Sequence, residues 1–324
     1  MLRIMCKMDI NMKSISRYIL IIIALGVTSI CNAQDQVVYN NYISNQGILN
    51  PAYNGTRDNI SGLVIFRKQW IGFKGAPFTG ALNVHSPIDA VQNLGLGLVV
   101  ENDHIGFTNN LAVNVAGSYR LKLAHGMTLA LGLQLGFKNV LYDGMKAMVV
   151  DYGDPVFEGR ISKFGFNFGT GGYLYTDKFF AGLSIPKFFS NKYDTDKQEI
   201  RNVVRFKDVH TYIYGGYIFD VDDILIKPTG LVRVVPGAPL TLDVSCSFKP
   251  MKDNDFWVGL SYRTVSEVVF MAEYRIDRKW TIKYSFDYSI SDIQTYAKAG
   301  SHEVGLQFDF SPKRRPGIRS MRYF

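Results

Sequence analysis

From about residue 60 to residue 310 the sequence repeats with a period of two, and that period dictates what the chain can build. Lys279, Thr281, Lys283, Ser285, Asp287 and Ser289 alternate with Trp280, Ile282, Tyr284, Phe286, Tyr288 and Ile290. Successive side chains of a strand point to opposite faces, so one face here is polar and the other apolar. The same split separates Leu129, Leu131, Leu133, Leu135 and Phe137 from Thr128, Ala130, Gly132, Gln134 and Gly136. It recurs where Leu240, Leu242, Val244, Cys246 and Phe248 alternate with Thr241, Asp243, Ser245 and Ser247, and where Val304, Leu306, Phe308 and Phe310 alternate with Glu303, Gly305, Gln307 and Asp309. No helix-period segment of useful length interrupts the pattern.

A soluble sandwich alternates as well. Strand length separates the two cases: these runs match the roughly 9 to 11 residues of a tilted membrane strand rather than the roughly 5 or 6 of a soluble one. Their polar faces are rich in Gly, Asn, Ser and charge, as a water-facing lumen requires, while Tyr and Phe flank the apolar bands. The pattern predicts an all-β transmembrane antiparallel barrel of fourteen strands. They fall near 61–71, 76–86, 93–101, 108–121, 126–137, 163–176, 178–186, 204–220, 225–235, 238–248, 255–263, 266–276, 278–289 and 302–310. In such barrels both termini are periplasmic, so connections after odd strands face outside and run long. The longest connections, 138–162, 187–203 and 290–301, follow strands five, seven and thirteen, and tight turns at Thr176–Asp177, Asp220–Ile224 and Asp277 follow even ones.

The ends of the chain read differently. Lys13 and Arg17 precede the apolar run Ile19–Val27, then Thr28, Ser29 and Cys31-Asn32-Ala33, the order of a secretory signal peptide cleaved after Ala33. Ile30 is too large for the small residue expected before a lipidated Cys31, and Asp9 lies in the basic region, so Met12 is an alternative start. The apolar run Tyr18–Val27 is too short for a bilayer-spanning helix, which needs about 20 residues. Residues 34–60, with the turn formers Asn50-Pro51 and Asn54-Gly55, are expected to be irregular, either plugging the lumen or lying at the periplasmic mouth. The formal net charge of +8 resides entirely at the two ends: 34–310 carries 27 basic and 27 acidic residues, which argues against nucleic acid as a partner. The tail, 311–324, holds Lys313, Arg314, Arg315, Arg319 and Arg322 with no acid, and ends in Tyr323 and Phe324. Pro312 and Pro316 oppose further strand pairing, so the tail is expected to leave the barrel on the periplasmic side. It then serves either as solvated charge or as a docking element for a periplasmic partner.

No catalytic, cofactor or metal constellation emerges. His85-Ser86 and His302-Glu303 are neighbours on strands and point to opposite faces, so neither can share a proton. The histidines are expected to be isolated polar residues at strand ends. Gly169-Thr170-Gly171-Gly172 lacks the helix and Lys of a phosphate loop; small residues there bend strands or leave room in the lumen. Asp220, Asp222 and Asp223 fit an exposed turn better than a Ca²⁺ site. Behind the leader only Cys246 remains, which excludes a disulfide framework or a cysteine metal site. The chain is expected not to be an enzyme.

An ordered series of motifs carries a resemblance. Leu49-Asn50-Pro51-Ala52-Tyr53-Asn54-Gly55-Thr56-Arg57-Asp58 resembles the "LNPAYAGSRD" opening of the PorP/SprF family of type IX secretion membrane proteins of Bacteroidota, with Asn54 where Ala is usual. Arg67, Gln69, Trp70, Gly72, Phe73, Gly75, Ala76 and Pro77 are similar to its "R-x-QW-x-GF-x-GAP" stretch, and His85-Ser86-Pro87 to its "HSP". Leu94-Gly95-Leu96-Gly97, Asn102-Asp103-His104-Ile105-Gly106, Asn109, Tyr119 and Arg120 follow in order. Phe166–Gly169, Tyr173–Tyr175, Gly182–Pro186 and Ser301–Leu306 then continue the likeness. The resemblance implies an outer-membrane component of the type IX secretion system, exported by a cleaved signal. It would support secretion or surface anchoring of proteins with a C-terminal sorting domain, such as adhesins, gliding or protease cargo. The implied partners are the PorK/PorN ring, PorE and the cargo. The alternative is an outer-membrane solute channel, a porin or hydrophobic-compound transporter, because a barrel with a polar inner face conducts if it is open.

Overall fold

The computed structural model describes residues 37–57, 59–88, 93–146, 159–194, 199–204, 209–236, 238–251, 255–264, 267–291, 295 and 299–310. Fourteen strands form the wall: β1 (Ile60–Lys68), β2 (Phe78–Pro87), β3 (Leu94–Ile105), β4 (Thr108–Lys122), β5 (Thr128–Asp143), β6 (Arg160–Tyr175) and β7 (Phe179–Ile185), then β8 (Thr211–Tyr217), β9 (Ile224–Val234), β10 (Thr241–Lys249), β11 (Phe256–Arg263), β12 (Glu267–Arg275), β13 (Trp280–Ser289) and β14 (Ser301–Phe310). Each pairs antiparallel with its sequence neighbours, and β14 closes the sheet on β1 with Val64 opposite Leu306. An up-and-down barrel leaves no open edge where closure is complete, which is what lipid demands of a strand-built wall.

The alternation sorts the faces. Leu133, Leu135, Phe166, Val244, Leu260, Phe270 and Leu306 point outward and are exposed as a lipid belt requires, while Gln134, Asp243, Ser245, Lys283, Ser285 and Glu303 point inward and are buried. That burial corrects the expectation of a water-facing lumen: the polar face meets protein.

Two connections differ from the sequence reading. The one placed at 138–162 is shorter, because β5 runs on to Asp143 and β6 begins at Arg160. The regular alternation of β5 stops at Phe137, where Lys138 and Asn139 follow, yet the chain stays paired, helped by Arg160 Nε to Asp143 at 3.1 Å and Ser162 Oγ to Asn139 at 2.9 Å. The strand placed at 204–220 is only Thr211–Tyr217, followed after Ile218 by the short Phe219–Val221. Upstream, Val204 belongs instead to Glu199–Val204, which pairs with Phe189–Asp194 as a separate hairpin inside the connection read at 187–203. The C-terminal ends of β5, β7 and β13 share one end of the barrel, as the odd-strand parity requires, and the turns 123–127, 176–178 and 276–279 share the other. The leader and the tail lie outside the described residues.

Candidate functional site: the segment inside the barrel

Residues 37–57 run through the lumen. A single helical turn, α1 (Gln46–Leu49), leads into a tight 3-10 turn at Pro51–Tyr53. Asn50 caps that turn, its Oδ1 accepting from Ala52 N at 2.9 Å, and Pro51 follows where its missing N–H costs nothing. The Asn50 amide donates to the Gly172 carbonyl at 2.9 Å, so the cap ties the turn to the wall. Close approach needs glycine on the wall: a Cβ at Gly132 would stand 2.2 Å from Ala52 N, and one at Gly171 only 2.1 Å from Asn50 Oδ1. Within the Gly169–Gly172 patch it is Gly171 that makes room for the segment, while Gly169 lies against Pro186.

Below the turn, Tyr53 packs edge-on against His85 and Tyr173, with centroids 5.3 and 5.5 Å away. Such pairs add about 0.5–1.5 kcal/mol beyond area burial. Gly55 adopts φ 78° and donates its N–H to His85 Nδ1 at 3.2 Å, while the Ser118 hydroxyl donates to the Asn54 carbonyl. Arg57 donates to Tyr53 Oη at 3.0 Å and pairs with Asp309 at 3.2 Å. His85 is thus no isolated strand-end residue. It is 5% exposed and accepts from the segment, and the correction follows from burial that only the folded segment creates.

Toward the long-loop end, Arg67 is wholly buried between Asp287 at 2.6 Å and Glu303 at 3.5 Å. The Glu303 carboxylate also accepts the backbone N–H of Asn40 and of Asn41, each at 2.9 Å, and Asp287 accepts from Asn40 Nδ2 at 2.7 Å. Tyr39 Oη donates to Glu101 at 3.0 Å; burial and then that carboxylate hold the phenol well above its ordinary range, keeping it a donor. Asp243 stands between Arg233 and Arg263, 3.1 Å from each, and Ser44 donates to Glu273, which Lys283 holds at 2.7 Å. Buried charges tolerate the lumen only when paired and hydrogen-bonded, and the segment supplies the missing donors. Between Asn40–Ser44 and the wall a hollow remains, lined by Thr229, Ser245, Glu273 and Lys227, whose ammonium lies 4.6 Å over the Trp257 ring.

Most of the motif residues fall into two groups. Asn50, Pro51, Ala52, Tyr53, Gly55, Arg57, Arg67 and His85 meet in the lumen. Gln69, Trp70, Gly72, Phe73, Gly75 and Pro77 form the β1–β2 connection at the long-loop end, where Gln69 N donates to the Pro77 carbonyl at 3.0 Å and Trp70 N to Ser301 Oγ at 3.2 Å. Gly106 joins them, donating to the Gly75 carbonyl at 3.0 Å. On β3, Asn102 is exposed and Asp103 accepts from Thr79 Oγ1 at 2.7 Å, while Ser86 and Pro87 end β2. Sequence reasoning missed Asn40, Asn41, Glu101, Asp243, Arg263, Asp287 and Glu303. For Glu101, Asp243, Arg263, Asp287 and Glu303 the signal was charge on the polar face of long strands; Asn40 and Asn41 lie in the irregular segment and carried none.

A comparison with curated proteins finds no match to the chain. Among solved structures, outer membrane protein Omp33 of Acinetobacter baumannii is 11% identical, with 78% of this chain and 98% of that chain covered and a TM-score of 0.44. The CymD monoaromatic hydrocarbon channel is 10% identical over 82% of this chain and 91% of that one, with a TM-score of 0.47. The TodX deltaS2S3 mutant monoaromatic hydrocarbon channel is 10% identical over 82% and 93%, at 0.42. The family described as type IX secretion system membrane protein PorP/SprF matches residues 31–308. With its closed fourteen-strand wall and the first of its motif runs folded into the lumen, the chain belongs to the PorP/SprF family of type IX secretion system membrane proteins and resides in the outer membrane.

Proposed function

We propose that this secretion component works by holding partner proteins at the outer membrane, supporting export or surface anchoring of cargo with a C-terminal sorting domain, and catalyses no reaction. The observation that carries the reading is the filled lumen: a barrel whose interior is occupied by residues 37–57, tied to Glu303, Asp287, Asp309 and Gly172, is built to present surfaces rather than to pass solute. Family membership supports association with the secretion machinery. The finer assignments, to the PorK/PorN ring and PorE on the periplasmic side, rest on the resemblance and on the basic tail. In this reading Lys313, Arg314, Arg315, Arg319 and Arg322 make a salt-sensitive contact to which Tyr323 and Phe324 add buried area.

The test replaces the five basic residues with glutamine, keeps Tyr323 and Phe324, confirms a heat-modifiable barrel at normal abundance, and assays surface display of the cargo. Normal barrel with lost display is expected. Normal barrel with full display reduces the tail to solvated charge, and full display in cells lacking the whole protein overturns the anchoring reading itself.

A further inference from the structure

The lumen segment has a direction, and one strand measures it. At its carboxyl side Arg57 pairs with Asp309 at 3.2 Å, and at its amino side the N–H groups of Asn40 and Asn41 donate to Glu303, each at 2.9 Å. Both acids stand on β14, which covers about 20 Å of wall between Glu303 and Asp309 at roughly 3.3 Å per residue. β14 begins with Ser301 at the long-loop end and finishes with Phe310 at the turn end, so the segment starts near the long loops and ends near the turns. Other strands give the same order. Asn40 Nδ2 donates to Asp287, which stands opposite Ser301 in the last rung of the β13 and β14 ladder. The Asn54 carbonyl accepts from Ser118 and Gly55 backs onto Gly95, near the turn ends of β4 and β3. Tyr39 donates to Glu101, the carboxylate that Lys187, just past the end of β7, approaches to 3.7 Å.

Above this level the chain comes out of the interior. Tyr39, Asn40, Asn41 and Tyr42 are buried, whereas Val37 and Val38 ahead of them are half-buried. Val37 packs against the cluster of Tyr39, Leu63, Ile65 and Ala81 on the β1 and β2 side, and Ile48 of the same segment packs there too. That side of the lumen is therefore filled by the segment's own later residues. The remaining hollow lies across the segment, between Asn40–Ser44 and the wall that carries Thr229, Ser245, Trp257 and Met271, and Val37 does not line it. A path from Val37 back to the turn end would have to displace the segment itself.

We propose that the amino-terminal end of the lumen segment is a cell-surface element: Val37 and Val38 open at the outer mouth of the barrel, where an extracellular partner can reach them and a periplasmic one cannot. Barrels of this class keep their amino side in the periplasm. Here β1 does begin at the turn end, but the residues ahead of it have already crossed the height of the wall inside the lumen. The segment thereby makes a covalent line through the membrane. It is clamped at the outer end by Glu303 and at the inner end by Asp309, so a contact made outside bears on the same element as one made inside.

The experiment uses the full-length protein in intact cells, with Cys246→Ser removing the thiol of β10. Val37→Cys and Val38→Cys each place one thiol at the segment's amino end. Ser291→Cys, after β13, is the outside reference and Arg278→Cys, in the turn before β13, the inside reference; both positions are exposed. A membrane-impermeant maleimide is added before or after the outer membrane is permeabilised, heat modifiability confirms the barrel in each variant, and peptide mapping assigns the modified residue. Ser291→Cys and at least one valine variant are expected to label in intact cells, and Arg278→Cys only after permeabilisation. Valine variants that label only after permeabilisation, or not at all, overturn the proposal. The references separate the two ways it can fail. With Ser291→Cys labelled from outside, the segment turns back within the lumen; with Arg278→Cys labelled from outside, the wall itself is inverted. None of these outcomes depends on the basic tail or on cargo display.

Discussion

The two faces of a strand differ in what a single substitution breaks. Leu131 is half exposed to lipid, so Leu131→Arg is expected to cost about 2–4 kcal/mol if it lies near the midplane, read as a shift in urea unfolding from liposomes. Its neighbour Gly132 faces the segment, and Gly132→Val drives a Cβ into Ala52, so the expected outcome is a folded barrel whose lumen opens. Lumen-facing positions are therefore not generally tolerant: Ser285 and Glu303 are as buried as any core residue. Glu303→Ala leaves Arg67 with Asp287 alone and takes the acceptor from the buried Asn40 and Asn41 N–H groups, so it is expected to lose about 3–5 kcal/mol in the same titration. A loss below about 1 kcal/mol, the range of an exposed pair, would sink the idea that the carboxylate clamps the segment.

At the scale of elements, the connections divide by parity and so predict topology. Tags within 144–159, 186–210 and 290–300, the connections after β5, β7 and β13, are expected to be protease-accessible on intact cells, while a tag between Asp222 and Asp223 is expected to be protected. The reverse pattern inverts the barrel in the membrane. Apolar alternation marked strands well wherever both faces were distinct, as in β13 and β14. It failed at the ends of β5 and β6, where Lys138-Asn139 interrupts the regular alternation after Phe137 and Arg160, Ser162 and Lys163 stand in the facing stretch, yet pairing continues. It missed the hairpin of Phe189–Asp194 and Glu199–Val204 inside the connection read at 187–203, and it began the next wall strand at 204, where the structure begins it at Thr211.

For the whole molecule, the occupied lumen sets the behaviour in a bilayer. The intact protein is expected to show no open conductance in a planar membrane, and a variant lacking residues 37–57 is expected to show steady open channels if the barrel still folds by heat modifiability. Open channels from the intact protein would return the solute-channel alternative to first place. The sequence by itself determined the membrane barrel, its fourteen strands and the sorting of residues between lipid and interior, because a period of two is a local property that any stretch of strand must display. The motif run from Asn50 to Arg57 was legible as turn chemistry, but its place was not. Only the closed wall could decide that, since Glu303, Asp287, Asp309, Gly132 and Gly172 come from strands far along the chain and converge on the segment only when β14 pairs with β1.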